Sequence, residues 1–112
     1  MKAKDLKDLV AFSKSGPKHQ LLFESERLWS ELVCLESNQQ IGPITDRDSD
    51  AICLVITGDV VVQIDRGRKR LSQWGSVLVA ANSDLVVTNA ADEPAVLMLV
   101  AAPPPVRRQL EE

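Results

Sequence analysis

From residue 20 onward the chain alternates short runs rich in Val, Leu and Ile with turn residues, and no stretch of helical periodicity separates those runs. They fall at residues 20–23, 27–36, 52–57, 60–65, 77–80, 84–88 and 95–100, and a short run at 69–71 completes a hairpin with 60–65. Glu24-Ser25, Ser37-Asn38, Gly58-Asp59, Arg66-Gly67, Asn82-Ser83 and Asp92-Glu93-Pro94 punctuate them. Parallel strands need a crossover of a dozen or more residues, usually a helix. Closely spaced strands without one therefore predict an all-β antiparallel sandwich or barrel. Ahead of the strands, Leu6, Leu9, Val10 and Phe12 share a helical face, so residues 4–12 are predicted to form a short helix that Gly16-Pro17 ends. The expected organisation is an N-terminal helical segment at 1–17, a β-barrel at 18–102, and a tail at 103–112 that opens on Pro103-Pro104-Pro105 and ends polar.

Composition narrows the functions open to such a barrel. A chain of 112 residues with 45% hydrophobic and 26% charged residues carries what one folded domain needs. A net charge of −3 gives no long-range pull toward nucleic acid or anionic lipid. The basic cluster Arg66, Arg68, Lys69 and Arg70 has no interleaved aromatic residue and reads as a charged hairpin tip. The apolar runs at 60–62 and 96–102 are far below the roughly 20 residues of a membrane span, so a soluble, cytoplasmic protein is expected, with neither nucleic acid nor membrane as partner. Cys34 and Cys53 sit singly within apolar runs and read as buried, reduced core residues. The chain has one histidine, His19, and no tyrosine, which excludes a multi-histidine metal site within one subunit.

Two strands are apolar on both faces, at 52–56 and 95–100. One face of such a sheet would be exposed, so the N-terminal segment and a second subunit are expected to cover it, predicting a homodimer. Trp29 alternates with Glu31, Val33 and Leu35 and faces either the barrel interior or a subunit interface. Trp74, at the turn before Gly75, is expected to pack at an interface or under the N-terminal segment.

The spacing at residues 36–58 and 75–89 resembles that of the small single-domain, RmlC-like cupins, whose two motifs read G(X)5HXH(X)3-4E(X)6G and G(X)5PXG(X)2H(X)3N. Gly58 closes the first motif, Gly75 opens the second and Asn89 ends it, with Ala81 and Ser83 at the proline and glycine positions. Asn38 stands at the first glycine and is suited to a positive φ. The resemblance implies an antiparallel cupin-type jelly-roll barrel. In the family three histidines and a glutamate bind a metal; here those positions read Ile44, Asp46, Ala51 and Leu85 or Val86, which implies a member with neither metal nor cofactor. Asp46-Arg47-Asp48-Ser49-Asp50 has the carboxylate spacing of a calcium loop but not its glycine or closing glutamate, where Ala51 and Thr57 stand.

If the metal positions point inward, Ile44, Ala51 and Leu85 or Val86 meet inside the barrel with Val55 and Met98 beside them and Asp46 at the rim. Such an interior suits a small, mainly apolar ligand and assigns no catalytic residue. Two other readings stand beside it. One is a metal-independent isomerase or epimerase pairing His19 with Asp46, Asp48 or Asp50; the other is a ligand-sensing subunit similar to the ligand-binding half of AraC-type regulators.

Overall fold

The computed structural model describes residues 1–105, and the predicted polar tail at 106–112 lies outside them. Among the described residues nine strands follow a single 3₁₀ turn at Leu6–Leu9: β1 (Lys18–Glu24), β2 (Trp29–Leu35), β3 (Gln40–Ile44), β4 (Asp50–Thr57), β5 (Val60–Ile64), β6 (Gly67–Leu71), β7 (Ser76–Val79), β8 (Leu85–Thr88) and β9 (Ala95–Ala102). A five-stranded sheet runs β1-β2-β9-β4-β7 and a four-stranded sheet β3-β8-β5-β6. Every pairing is antiparallel, as the short connections require.

The main core fills the space between the sheets. Val33, Leu35, Cys53, Val55 and Leu97 of the larger sheet pack with Ile41, Val60, Val62 and Val87 of the smaller one. Because side chains alternate across a strand, Leu32, Cys34 and Val96 fall on the outer face of the larger sheet. There they meet Leu6, Leu9 and Phe12. The apolar residues of the N-terminal segment thus reach the sheet as expected, but without the expected helix. Only one turn forms, with the Asp5 carboxylate accepting from Lys7 N–H at 3.1 Å. A nucleus this short gains too few hydrogen bonds to propagate, and the segment is held instead by its side chains and by Lys4 Nζ, which donates to the Leu22 carbonyl at 2.6 Å. No helix among the described residues is long and apolar enough to cross a membrane.

Two turn positions set the frame around the site. Asn38 has a φ of 69°, as its place in the glycine position requires, and its N–H donates to the Asn89 carbonyl at 2.7 Å. The buried Asn89 side chain then ties three segments together, donating to the carbonyls of Leu35 and Glu93 and accepting from Ala91 N–H. Gly42 has a φ of 96°, and a Cβ there would fall on the carbonyl oxygen of Leu85. Trp74 departs from the reading that packs it under the N-terminal segment. It is 71% exposed, at a φ of 71°, with its N–H donating to the Val55 carbonyl.

Candidate functional site

The site begins with the phase of β2. Trp29, Glu31, Val33 and Leu35 point between the sheets, and Ser30, Leu32 and Cys34 point away from them. A carboxylate is thereby carried into an apolar interior, where Glu31 is only 3% exposed. Burying it without a partner would be costly. The partner comes from the neighbouring strand: β1 aligns His19 with Val33 on the same face, and His19 Nδ1 contacts Glu31 Oε1.

The interior is solid at the Leu35 end and hollow at the Trp29 end. The cavity there has a volume of about 360 Å³. Its walls come from both sheets: Trp29, Ala51, Val79, Leu99 and Ala101 from the larger, Ile44 and Leu85 from the smaller. Loop residues Thr45, Asp46, Ser49 and Ser83 and the His19–Glu31 pair supply its polar atoms.

Four of the residues assigned to the interior by sequence, Ile44, Asp46, Ala51 and Leu85, line this cavity. Three do not. Val55 belongs to the close-packed core between the sheets. Val86 lies out of phase with the buried Leu85 and Val87, so the choice between Leu85 and Val86 resolves to Leu85. Met98 lies on the outer face of β9, packed with Leu32, Cys34 and Val96. Each correction follows from the two-residue period of a strand.

Asp46 shapes its own loop as well as the cavity rim. Its Oδ1 accepts from the N–H groups of Asp48 and Ser49, both at 2.9 Å, and its carbonyl accepts from Asn82 N–H at 2.6 Å. Asp50 accepts from Ala81 N–H at 2.9 Å, and Asp48 is exposed. His19 contacts the Glu31 carboxylate, a partner the sequence reading did not offer beside Asp46, Asp48 and Asp50. Glu31 was legible as the one charge in phase with Trp29, Val33 and Leu35.

The residues present do not fit a transition metal. The four positions at which the resemblance places ligands offer one carboxylate, already engaged by two N–H groups, and three aliphatic side chains. No group of three or more His, Cys, Asp or Glu among the described residues is placed to hold a metal ion. The two cysteines are free and buried away from the cavity, and burial pushes the Cys53 thiol up to about 12.

No protein-family model and no curated protein matches the chain. Solved structures do. TT1209 from Thermus thermophilus is 28% identical with a TM-score of 0.88, covering 92% of this chain and 98% of its own. An uncharacterised protein with a double-stranded β-helix domain from Klebsiella pneumoniae subsp. pneumoniae MGH 78578 is 16% identical with a TM-score of 0.85, over 92% of this chain and 90% of that one. An RmlC-like cupin from Shewanella frigidimarina NCIMB 400 is 19% identical with a TM-score of 0.73, over 85% and 81%. With two antiparallel sheets closed around one core and a cavity at one end, the chain has the cupin fold, the double-stranded β-helix.

Proposed function

We propose that the protein binds one small, mainly apolar molecule between its sheets, without a transition metal. The observation that carries this reading is the cavity of about 360 Å³, walled by aliphatic residues and Trp29, into which Ile44, Asp46, Ala51 and Leu85 converge. A volume of this order suits a small organic molecule. Each buried methylene contributes roughly 0.8 kcal/mol, so a modest apolar body reaches micromolar affinity with little polar recognition. A small-molecule thermal-shift screen, run on wild type and Ala51→Trp in parallel, tests it. The hits are expected to be mainly apolar and to lose their stabilisation in Ala51→Trp, whose indole fills the cavity. Elemental analysis of the purified protein is expected to find no stoichiometric transition ion. Sugars or nucleotides that stabilise both proteins equally would place the binding site elsewhere.

A second reading is favoured by one specific observation, the His19–Glu31 pair at the cavity wall. A histidine held by a buried carboxylate is equipped for general acid–base chemistry. On this reading the bound molecule is turned over, and His19→Ala abolishes turnover while binding persists.

A further inference from the structure

Strand register explains why the interior is hollow at the Trp29 end. Trp29 is aligned with Ala101, Ala101 with Ala51 and Ala51 with Val79, so these four inward residues form one row across β2, β9, β4 and β7. The next inward row carries the larger Leu99 and Cys53 on β9 and β4. Two alanines side by side therefore form a low shelf, with the indole at one end, Val79 at the other and Leu99 rising beside it. All five of these residues apart from Cys53 line the cavity. Paired Cβ atoms on adjacent strands lie about 5 Å apart, and successive inward residues along one strand about 7 Å. The shelf thus has the footprint of one six-membered ring. Ile44 and Leu85, aligned with each other on the smaller sheet, wall the opposite side. An apolar cavity of about 150 Å³ already admits benzene, and this one is about 360 Å³.

We propose that the ligand class of this cavity is a small aromatic molecule, whose ring lies flat on the methyl groups of Ala51 and Ala101 beside the Trp29 indole. The proposal rests on the binding reading above and adds the shape of the occupant. A planar ring takes up the depth that alanine yields relative to leucine or valine, whereas a saturated ring is puckered and thicker. Two aromatic rings in contact, edge to face or offset, gain about twofold to tenfold in affinity beyond the area they bury, which favours an aromatic ring over an aliphatic one of the same size.

The test titrates the full chain, labelled at its alanine methyl groups, with phenol, anisole and cyclohexanol, which are neutral at pH 7 and alike in ring size. The methyl resonances of Ala51 and Ala101 are followed by NMR, with Ala95, fully buried beside Leu35 at the closed end of the core, as the control. Phenol is expected to bind about threefold or more tightly than cyclohexanol, and anisole, which lacks the hydroxyl donor, at least as tightly as phenol. Both shelf methyls are expected to move upfield with the two aromatic probes, as protons under a ring face do, while Ala95 stays in place. Ala101→Val, which raises the shelf by two methyl groups, is expected to weaken phenol about fivefold or more. Cyclohexanol binding as tightly as phenol, anisole binding no tighter than cyclohexanol, or shelf methyls that move downfield under the aromatic probes would overturn the ring proposal and leave the cavity reading standing. Shelf methyls that respond to none of the three probes overturn both. The probe ranking and the direction of the methyl shifts decide the matter even if Ala101→Val fails to fold.

Discussion

At the scale of single residues, the buried carboxylate is the feature most open to experiment. Glu31 is 3% exposed and His19 Nδ1 contacts it. Removing the imidazole alone leaves a buried charge without that contact, whereas replacing both residues by apolar ones removes the charge as well. His19→Ala is therefore expected to destabilise the fold by about 1–3 kcal/mol, and His19→Ala with Glu31→Leu by less than His19→Ala alone. Urea unfolding of the single and double variants measures this, and simple additivity of the two changes would contradict the pairing. Cys53 gives a second expectation. Burial raises its thiol from 9.0 to about 12, so above pH 9 the unfolded chain loses this proton while the folded chain keeps it. The folded state then binds more protons, and stability falls as pH rises from 9 toward 12, by at most about 1.4 kcal/mol per pH unit. Below pH 9 the thiol contributes no pH dependence. Cys53→Val is expected to flatten the alkaline fall in the urea midpoint, and the native thiol to resist a soluble disulfide reagent at neutral pH.

At the scale of elements, legibility followed how much of its information each element kept in its own residues. Strands β2, β4, β5 and β9 are dense in β-branched and aliphatic residues bounded by turns, and their existence and pairing mode were readable from the chain. Strand β3 was not, because Gly42-Pro43 interrupts a five-residue stretch with two isoleucines and reads as a turn. Its register against β8 shifts between Ile41 and Ile44, and as an edge strand it tolerates a proline. The inward residues of the site were half legible for a related reason: motif spacing located Ile44, Asp46, Ala51 and Leu85, but the facing of Val55, Val86 and Met98 depends on strand phase and on where packing closes the core. The three-dimensional neighbour of His19 was likewise a matter of register between β1 and β2. Gly42→Ala tests how tightly β3 is specified. Its Cβ would meet the Leu85 main chain, at a φ of 96° that alanine disfavours. A loss of about 1–3 kcal/mol in chemical denaturation is expected, together with weakened binding, since β3 and β8 carry Ile44 and Leu85 into the cavity.

At the scale of the whole molecule, we propose that the uncharged edge and the exposed outer face of the larger sheet are covered by a second copy of the chain. Three of the four edge strands carry features that discourage pairing: β1 has Lys18, β3 has Pro43, and β6 has Arg68, Lys69 and Arg70, all exposed but the last of its five residues. This gives the basic cluster a structural role at a sheet edge. The fourth edge, β7, reads Ser-Val-Leu-Val and has no charge. On the outer face of the larger sheet the N-terminal segment covers β2 and the start of β9, but Ile52 stays 49% exposed and Leu78 66% exposed. Ile52 is aligned with both Leu78 and Val100, so an apolar band crosses three strands, and Trp74 is exposed in the turn that leads into β7. An uncharged band of this kind is self-complementary about a two-fold axis, and two-fold pairing is the commonest way such faces are covered. Light scattering coupled to size-exclusion chromatography is expected to give twice the chain mass at tens of micromolar. Leu78→Lys places a charge at the centre of the band at little cost to the isolated subunit, where the side chain already meets solvent, and is expected to yield a folded monomer. If wild type elutes as a monomer at that concentration, the band faces water and the homodimer is wrong; if Leu78→Lys remains dimeric, the subunits meet through another surface.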